Sequence, residues 1–164
     1  VIVLVLGGAR SGKSEYAERI ASGLREPVTY VATACVDGDA DLAARVAAHR
    51  ARRPTSWTTV ENDPDLVGVL RATTGTVVLD ALGPWVAAAP GFAVDDTALC
   101  DALRERAGDT VVVSDEVGLG VHPSTAEGRR FRDALGALNQ GVAGVADEVT
   151  LVVAGRRLRL EPAG

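Results

Sequence analysis

Lys13 and Ser14 close the octapeptide Gly7-Gly8-Ala9-Arg10-Ser11-Gly12-Lys13-Ser14, which satisfies Gly-x-x-x-x-Gly-Lys-[Ser/Thr] at every fixed position. Each residue type has a task in holding a chain of phosphates. Glycines allow a backbone curl in which successive N–H groups point inward at phosphate oxygens. The N-terminus of the following helix adds partial positive charge. The Lys13 ammonium is placed to reach the β- and γ-phosphates, and the Ser14 hydroxyl is a ligand for Mg²⁺. The apolar run before the loop and the helical pattern after it are the context this motif requires.

A phosphate cradle of this kind also needs an acid for the metal, usually at a strand end. Asp80 follows Val77-Val78-Leu79, and Asp115-Glu116 follow Val111-Val112-Val113. Spacing does not choose among them, and any of them could instead cap a strand or helix.

Further chemistry gathers at His49, which is followed by Arg50-Ala51-Arg52-Arg53-Pro54. Three guanidinium groups beside one imidazole suit a polyphosphate in an otherwise acidic chain. An imidazole next to bound phosphate is a nucleophile through one ring nitrogen. Histidine at a helix end is equally a helix-dipole partner, and the arginines equally a solvated basic surface. His122, in a turn before Pro123, receives no role, and Cys35 and Cys100 read as small buried residues.

Short β-branched runs alternating with helical patterns must position these groups, which predicts a parallel sheet of βαβ units. Strands are expected at Val1–Leu6, Val28–Thr33, Thr76–Asp80, Thr110–Ser114 and Glu148–Val153. Arg157–Leu160 is expected to add an edge strand after a turn at Gly155 and Arg156. Helices are expected at Lys13–Leu24, Asp39–Arg50, Pro64–Arg71, Asp95–Arg106 and Ala126–Ala143. The fold class is α/β: a P-loop NTPase with a mostly parallel sheet, helices on both faces and a short C-terminal antiparallel hairpin. Residues 1–164 carry no linker or repeat and are expected to form one nucleotide-binding domain.

Composition narrows the function classes. Apolar residues at 47% and charged residues at 24% argue against disorder. The net charge of −5 argues against a general nucleic-acid binder. Two cysteines form no disulfide framework and point to a reducing cytoplasm. No Cys/His cluster has zinc spacing. The apolar start lacks a basic leader and is not expected to be a signal peptide. The uncharged stretch from Ala81 to Val94 is broken by Pro84 and Pro90 and falls short of the roughly twenty residues of a membrane span.

Taken together, these blocks make the chain resemble the bifunctional adenosylcobinamide kinase/adenosylcobinamide-phosphate guanylyltransferase family of cobalamin biosynthesis, over nearly its whole length. The P-loop is shared by many kinases. The match includes Tyr30-Val31-Ala32-Thr33-Ala34, Trp57 and Glu61, and much more specific are the block from Arg45 through His49 to Pro54 and the block Glu116-Val117-Gly118-Leu119-Gly120. Phe131-Arg132-Asp133, Gly136 with Asn139-Gln140, and Ala146-Asp147-Glu148-Val149 leading to Val152-Val153-Ala154-Gly155 complete the pattern.

The resemblance implies two reactions, phosphorylation of adenosylcobinamide by a nucleoside triphosphate and transfer of GMP from GTP onto that phosphate. It implies a covalent guanylyl group on His49, with Lys13 as the second catalytic residue. Contacts to GTP or ATP carry over to Gly7 through Ser14, to Ala32, Thr33 and Ala34, to Arg50, Ala51, Arg52 and Arg53, and to Glu61 and Asp80. Mg²⁺ is assigned to Ser14 and Asp80, the corrinoid is the small-molecule partner, and a homotrimer is implied.

This chain departs from the family pattern in places. Asp115 stands where the family usually has Asn, Asp80 where relatives often have Glu, and His122 where a small apolar residue is common. Asp41-Leu42 replaces the usual Glu-Met. Two rival readings are a P-loop small-molecule kinase with a structural His49 and a GTP-controlled switch protein. The switch reading lacks its Asn-Lys-x-Asp guanine motif, so guanine preference rests on the resemblance alone.

Overall fold

The computed structural model describes residues 1–34, 46–48, 50–61 and 63–164. His49 and residues 39–45 of the expected second helix lie outside the described residues, as does Cys35. Residues 46–48 and 50–52 are helical, so this element runs past its expected end at Arg50.

Seven strands form one sheet: β1 (Ile2–Gly7), β2 (Val28–Ala32), β3 (Thr58–Glu61), β4 (Thr76–Asp80), β5 (Thr110–Asp115), β6 (Glu148–Val153) and β7 (Arg156–Leu160). Their order is β3-β2-β4-β5-β1-β6-β7. All neighbours are parallel except β6 and β7. The helices are α1 (Lys13–Ala21), α2 (Leu66–Ala72), α3 (Leu82–Ala88), α4 (Asp96–Glu105) and α5 (Ala126–Ala143), numbered without the helical residues before β3.

Alternation along the strands separates two cores. Val3, Val5, Val28, Tyr30, Val78, Val111, Val113 and Val152 face one way and bury Ala17 and Ala21 of α1. Leu4, Val31, Val77, Leu79 and Val112 face the other way, against Leu66, Leu70, Leu82, Val86, Leu99, Leu103, Leu135, Leu138 and Val142 of the other four helices. Strands covered on both faces can be apolar throughout, which is why these runs lack an exposed polar side. Cys100 is buried on α4, and that burial raises its thiol pKa.

Two elements differ from expectation for identifiable reasons. β3 contains Thr58-Thr59-Val60-Glu61, half-exposed at the sheet edge, and its strand geometry comes from pairing Thr29 through Ala32 with Thr58 through Glu61. α3 contains Pro84, although a proline is expected to break this stretch. The proline lies in the first helical turn, where the missing N–H has no intrahelical partner to lose.

Boundaries shift by capping. Asp95 caps α4 by accepting from the Ala98 amide at 2.8 Å, and Asp65 caps α2 by accepting from the Gly68 amide at 2.8 Å. α1 stops at Ala21, short of Leu24, and a turn through Ser22 and Gly23 follows. The β6–β7 turn is Ala154-Gly155, both at positive φ, rather than Gly155-Arg156. Among the described residues no helix is long and apolar enough to cross a membrane.

Candidate functional site

The octapeptide begins at the last residue of β1 and ends inside the first turn of α1. Gly12 sits at φ 94°, a backbone conformation that a side chain resists, and it turns the chain into the helix. Gly7 needs its missing side chain for a different reason. A Cβ there would lie 2.4 Å from Ser11 Oγ and 2.7 Å from the Val152 carbonyl oxygen. The loop is also braced from outside, because the Gly155 amide of the hairpin turn donates to the Ser11 carbonyl at 2.8 Å.

β1, β2, β4 and β5 all end at this edge, around a cleft of about 430 Å³. The loop from Ala9, the start of α1, Tyr30, Ala32 and Ala34 line it, with Val46, Arg52, Arg53, Asp80, Ala81, Pro84 and Asp115. Crevices at the carboxyl ends of parallel strands are where open α/β sheets bind ligands. Arg10, Lys13, Arg52 and Arg53 supply local positive charge within an acidic chain.

The acids divide their contacts. Ser14 Oγ donates to Asp80 Oδ1 at 3.2 Å, and the Tyr30 hydroxyl donates to Asp80 Oδ2. Lys13 Nζ lies 2.8 Å from Asp115 Oδ1 and donates to the Gly8 carbonyl at 3.2 Å. Glu116 turns away and accepts from the amides of Gly118 at 2.6 Å and Leu119 at 3.1 Å. A hydroxyl and a carboxylate in contact are hard oxygen donors that fit Mg²⁺, which binds one or two protein oxygens and completes its shell with phosphate and water. Among the described residues no group of three or more His, Cys, Asp or Glu could hold a metal.

Other expected residues take up different places. Thr33 Oγ1 accepts from the Ala81 amide at 3.0 Å and the Thr33 amide donates to the Asp80 carbonyl at 3.1 Å, so this residue ties the ends of β2 and β4 together. The Asp80–Ala81 peptide is cis. Arg50 and Glu61 pair with each other at 2.6 Å and, with Ala51, are not among the cleft-lining residues. Arg52 faces Glu18 at 3.5 Å. Arg53 lies over Tyr30, its guanidinium carbon 3.3 Å from the ring centre.

Tyr30, present in a family block but given no role from sequence, is a further participant. Its ring is buried in the core under α1, and burial first, then the Asp80 charge, drive its phenol pKa upward. The available signal was a lone tyrosine in an apolar strand, whose hydroxyl must find a partner when buried.

A family model described as cobinamide kinase / cobinamide phosphate guanyltransferase matches residues 3–160. The bifunctional adenosylcobalamin biosynthesis protein CobP of Pseudomonas aeruginosa is 41% identical over 169 residues, covering 96% of each chain. CobU of Salmonella typhimurium, described in the same words, is 37% identical over 183 residues, covering 98% of this chain and 100% of its own. Among solved structures, an ATPase from the type III secretion system of pathogenic bacteria superposes with a TM-score of 0.55 at 11% identity. That match covers 92% of this chain and 50% of the ATPase, and it speaks to the fold alone. With a match spanning nearly the full length and a phosphate cradle intact at its centre, the chain belongs to the cobinamide kinase / cobinamide phosphate guanyltransferase family.

Proposed function

We propose that the chain phosphorylates adenosylcobinamide with a nucleoside triphosphate and then transfers GMP from GTP to the product, giving adenosylcobinamide-GDP and pyrophosphate. The observation that carries this reading is the Lys13 and Ser14–Asp80 cradle at the N-terminus of α1, in a chain that the family model matches over residues 3–160. In the first reaction the corrinoid hydroxyl attacks the γ-phosphorus, and the bond to the β,γ-bridging oxygen breaks. Lys13 and the loop amides hold the phosphates in line and balance their charge. Ser14 and Asp80 would hold Mg²⁺, which would supply positive charge to balance the phosphate oxygens.

In the second reaction a ring nitrogen of His49 attacks the α-phosphorus of GTP and pyrophosphate leaves. The phosphate of the first product then attacks the guanylyl phosphorus, the P–N bond breaks and the imidazole is restored. His49 lies outside the described residues. The reading is supported by its chain neighbours, since Val46 on one side and Arg52 and Arg53 on the other line the phosphate cleft. Arg52 and Arg53 are assigned to the GTP phosphates, and the enzyme is assigned to a cytoplasmic homotrimer.

The test uses two labels. Protein incubated with α-³²P-GTP and Mg²⁺, then denatured, is expected to carry acid-labile label that His49→Ala abolishes. Transfer from γ-³²P-labelled ATP or GTP to adenosylcobinamide is expected to disappear in Lys13→Ala. An unlabelled wild-type chain removes the guanylyltransferase half, and an undiminished Lys13→Ala removes the cradle from the kinase half.

A further inference from the structure

The hairpin of β6 and β7 meets the phosphate loop at three points. The Val152 carbonyl, near the end of β6, lies so close to Gly7 that a Cβ there would stand 2.7 Å from its oxygen. A Cβ on Gly12 would stand 3.6 Å from Gly155 Cα. Between these contacts the Gly155 amide donates to the Ser11 carbonyl at 2.8 Å. Arg157, two residues on, donates to the Tyr16 hydroxyl at 3.0 Å and so ties β7 to α1, the helix that the loop enters.

The turn itself makes that amide available. Ala154 at φ 49° and Gly155 at φ 70° form a two-residue connection whose handedness suits the twist of a hairpin. Val153 and Arg156 pair across it, which leaves the Gly155 N–H outside the ladder and turned toward Ser11. The consequence lies at the other end of the Ser11–Gly12 peptide. That bond is trans, so its C=O and N–H point in opposite directions. With the Ser11 oxygen turned to the hairpin, the Gly12 N–H turns away from it, and Gly12 lines the phosphate cleft. A glycine gives the peptide many other orientations, so a contact from outside is needed to select this one.

We propose that the Gly155 amide is a positioning group of the phosphate cradle: by holding the Ser11 carbonyl outward, it aims the Gly12 N–H at the phosphate oxygens. This rests on the nucleotide-binding reading proposed above. A donor fixed in advance needs no reorganisation when the anion arrives, and the affinity of the cradle for phosphate therefore depends on the C-terminal hairpin. Gly155 itself touches no phosphate in this arrangement. It acts through the peptide it holds.

A backbone group calls for a backbone substitution. In vitro translation with glycolic acid at position 155 turns the Ala154–Gly155 amide into an ester, which removes the N–H and leaves every side chain in place. Lactic acid at Ala163, in the tail after β7, makes the same chemical change away from the loop and serves as the control. Affinity for inorganic tripolyphosphate is measured by calorimetry, beside urea unfolding. The ester at 155 is expected to bind tripolyphosphate roughly fivefold more weakly, the effect of one backbone hydrogen bond, and the control as tightly as wild type. Hydrogen exchange on the unaltered protein gives a second reading, and it decides where the ester does not fold. Coupling between two sites is reciprocal, so tripolyphosphate is expected to slow exchange of the Gly155 amide by a similar factor. Equal affinity of the 155 ester and wild type, or exchange at Gly155 unmoved by tripolyphosphate, would overturn the assignment and leave the bond as a brace of the fold only. A wild type that binds no tripolyphosphate sinks the cradle and the positioning group together. Binding by wild type and by the 155 ester alike sinks the positioning group alone.

Discussion

The guanidinium carbon of Arg53 stands 3.3 Å from the centre of the Tyr30 ring, and the hydroxyl at the far end of that ring donates to Asp80. One buried tyrosine thus joins the arginine-rich segment after position 49 to the carboxylate that Ser14 touches. Neither end of this chain is near the other in sequence. Hydrogen bonds to a charged acceptor are the stronger class, and if Asp80 holds Mg²⁺ as proposed, a partner that orients its carboxylate affects metal affinity without touching the metal.

Tyr30→Phe keeps the ring under Arg53 and removes only the hydroxyl. The expected result is a roughly tenfold rise in the Mg²⁺ concentration needed for half-maximal nucleotide turnover. The fold should lose about 1–3 kcal/mol, the cost of removing a hydrogen bond to a charged group. Mg²⁺ titration of the phosphate-transfer rate and urea unfolding measure the two effects. An unchanged Mg²⁺ requirement would mean that Tyr30 only fills the core.

Alkaline pH tests the same hydroxyl in another way. Its folded pKa is raised above the unfolded phenol value near 10 by burial and by Asp80. Below that unfolded value its contribution to stability is complete. Above it, the unfolded chain releases a proton that the native chain retains, so stability falls by about 1.4 kcal/mol per pH unit. Urea unfolding at a series of pH values above 9 should show this slope in the wild type and lose it in Tyr30→Phe. Equal slopes in the two proteins would refute the buried, neutral phenol.

The sequence made most of the sheet and the whole phosphate loop legible, because both are local. α5 is bounded as expected, from a Thr125 cap that accepts from the Gly128 amide to Ala143. What escaped depends on contacts between distant residues. β3 is a strand through its pairing with β2, and Thr58-Thr59-Val60-Glu61 carries no apolar alternation of its own. Spacing alone left Asp80, Asp115 and Glu116 equivalent. The order β4-β5-β1 separates them, bringing Asp80 to Ser14 and Asp115 to Lys13 while Glu116 folds back on Gly118. Arg50 and Glu61, both expected at nucleotide, meet each other in an exposed pair.

Arg52 differs from Arg50 in facing the cleft, with the carboxylate of Glu18 3.5 Å away. If it stabilises charge on the phosphates during attack by His49, Arg52→Ala should slow self-labelling by α-³²P-GTP roughly 100-fold, the effect of losing one preorganised donor. Arg50→Ala should alter it little, since an exposed pair contributes about 1 kcal/mol or less. Label incorporation over a short time course reads both variants. Equal losses in the two would place the arginines' effect in general surface charge.

At the opposite ends of the strands, Arg106 follows α4 and ties several elements together. Its Nε donates to Thr110 Oγ1 at 3.0 Å, Nη1 to the carbonyls of Leu70 at 2.6 Å and Thr73 at 2.8 Å, and Nη2 to the Gly75 carbonyl at 2.8 Å. One guanidinium thereby joins the end of α2 to the entries of β4 and β5. Removing it strands the carbonyls of Leu70, Thr73 and Gly75, and each costs about 1–3 kcal/mol where water is kept out. Partial hydration should reduce the total, so Arg106→Ala is expected to lose about 3 kcal/mol and roughly 6–12 °C in Tm. Lysine cannot reproduce a planar fork with five donors, so Arg106→Lys should recover little of the loss. Below the melting transition, nucleotide affinity should match the wild type, because the cradle at Lys13 lies at the other ends of these strands. A large affinity loss in a variant that is still folded would contradict this separation of roles.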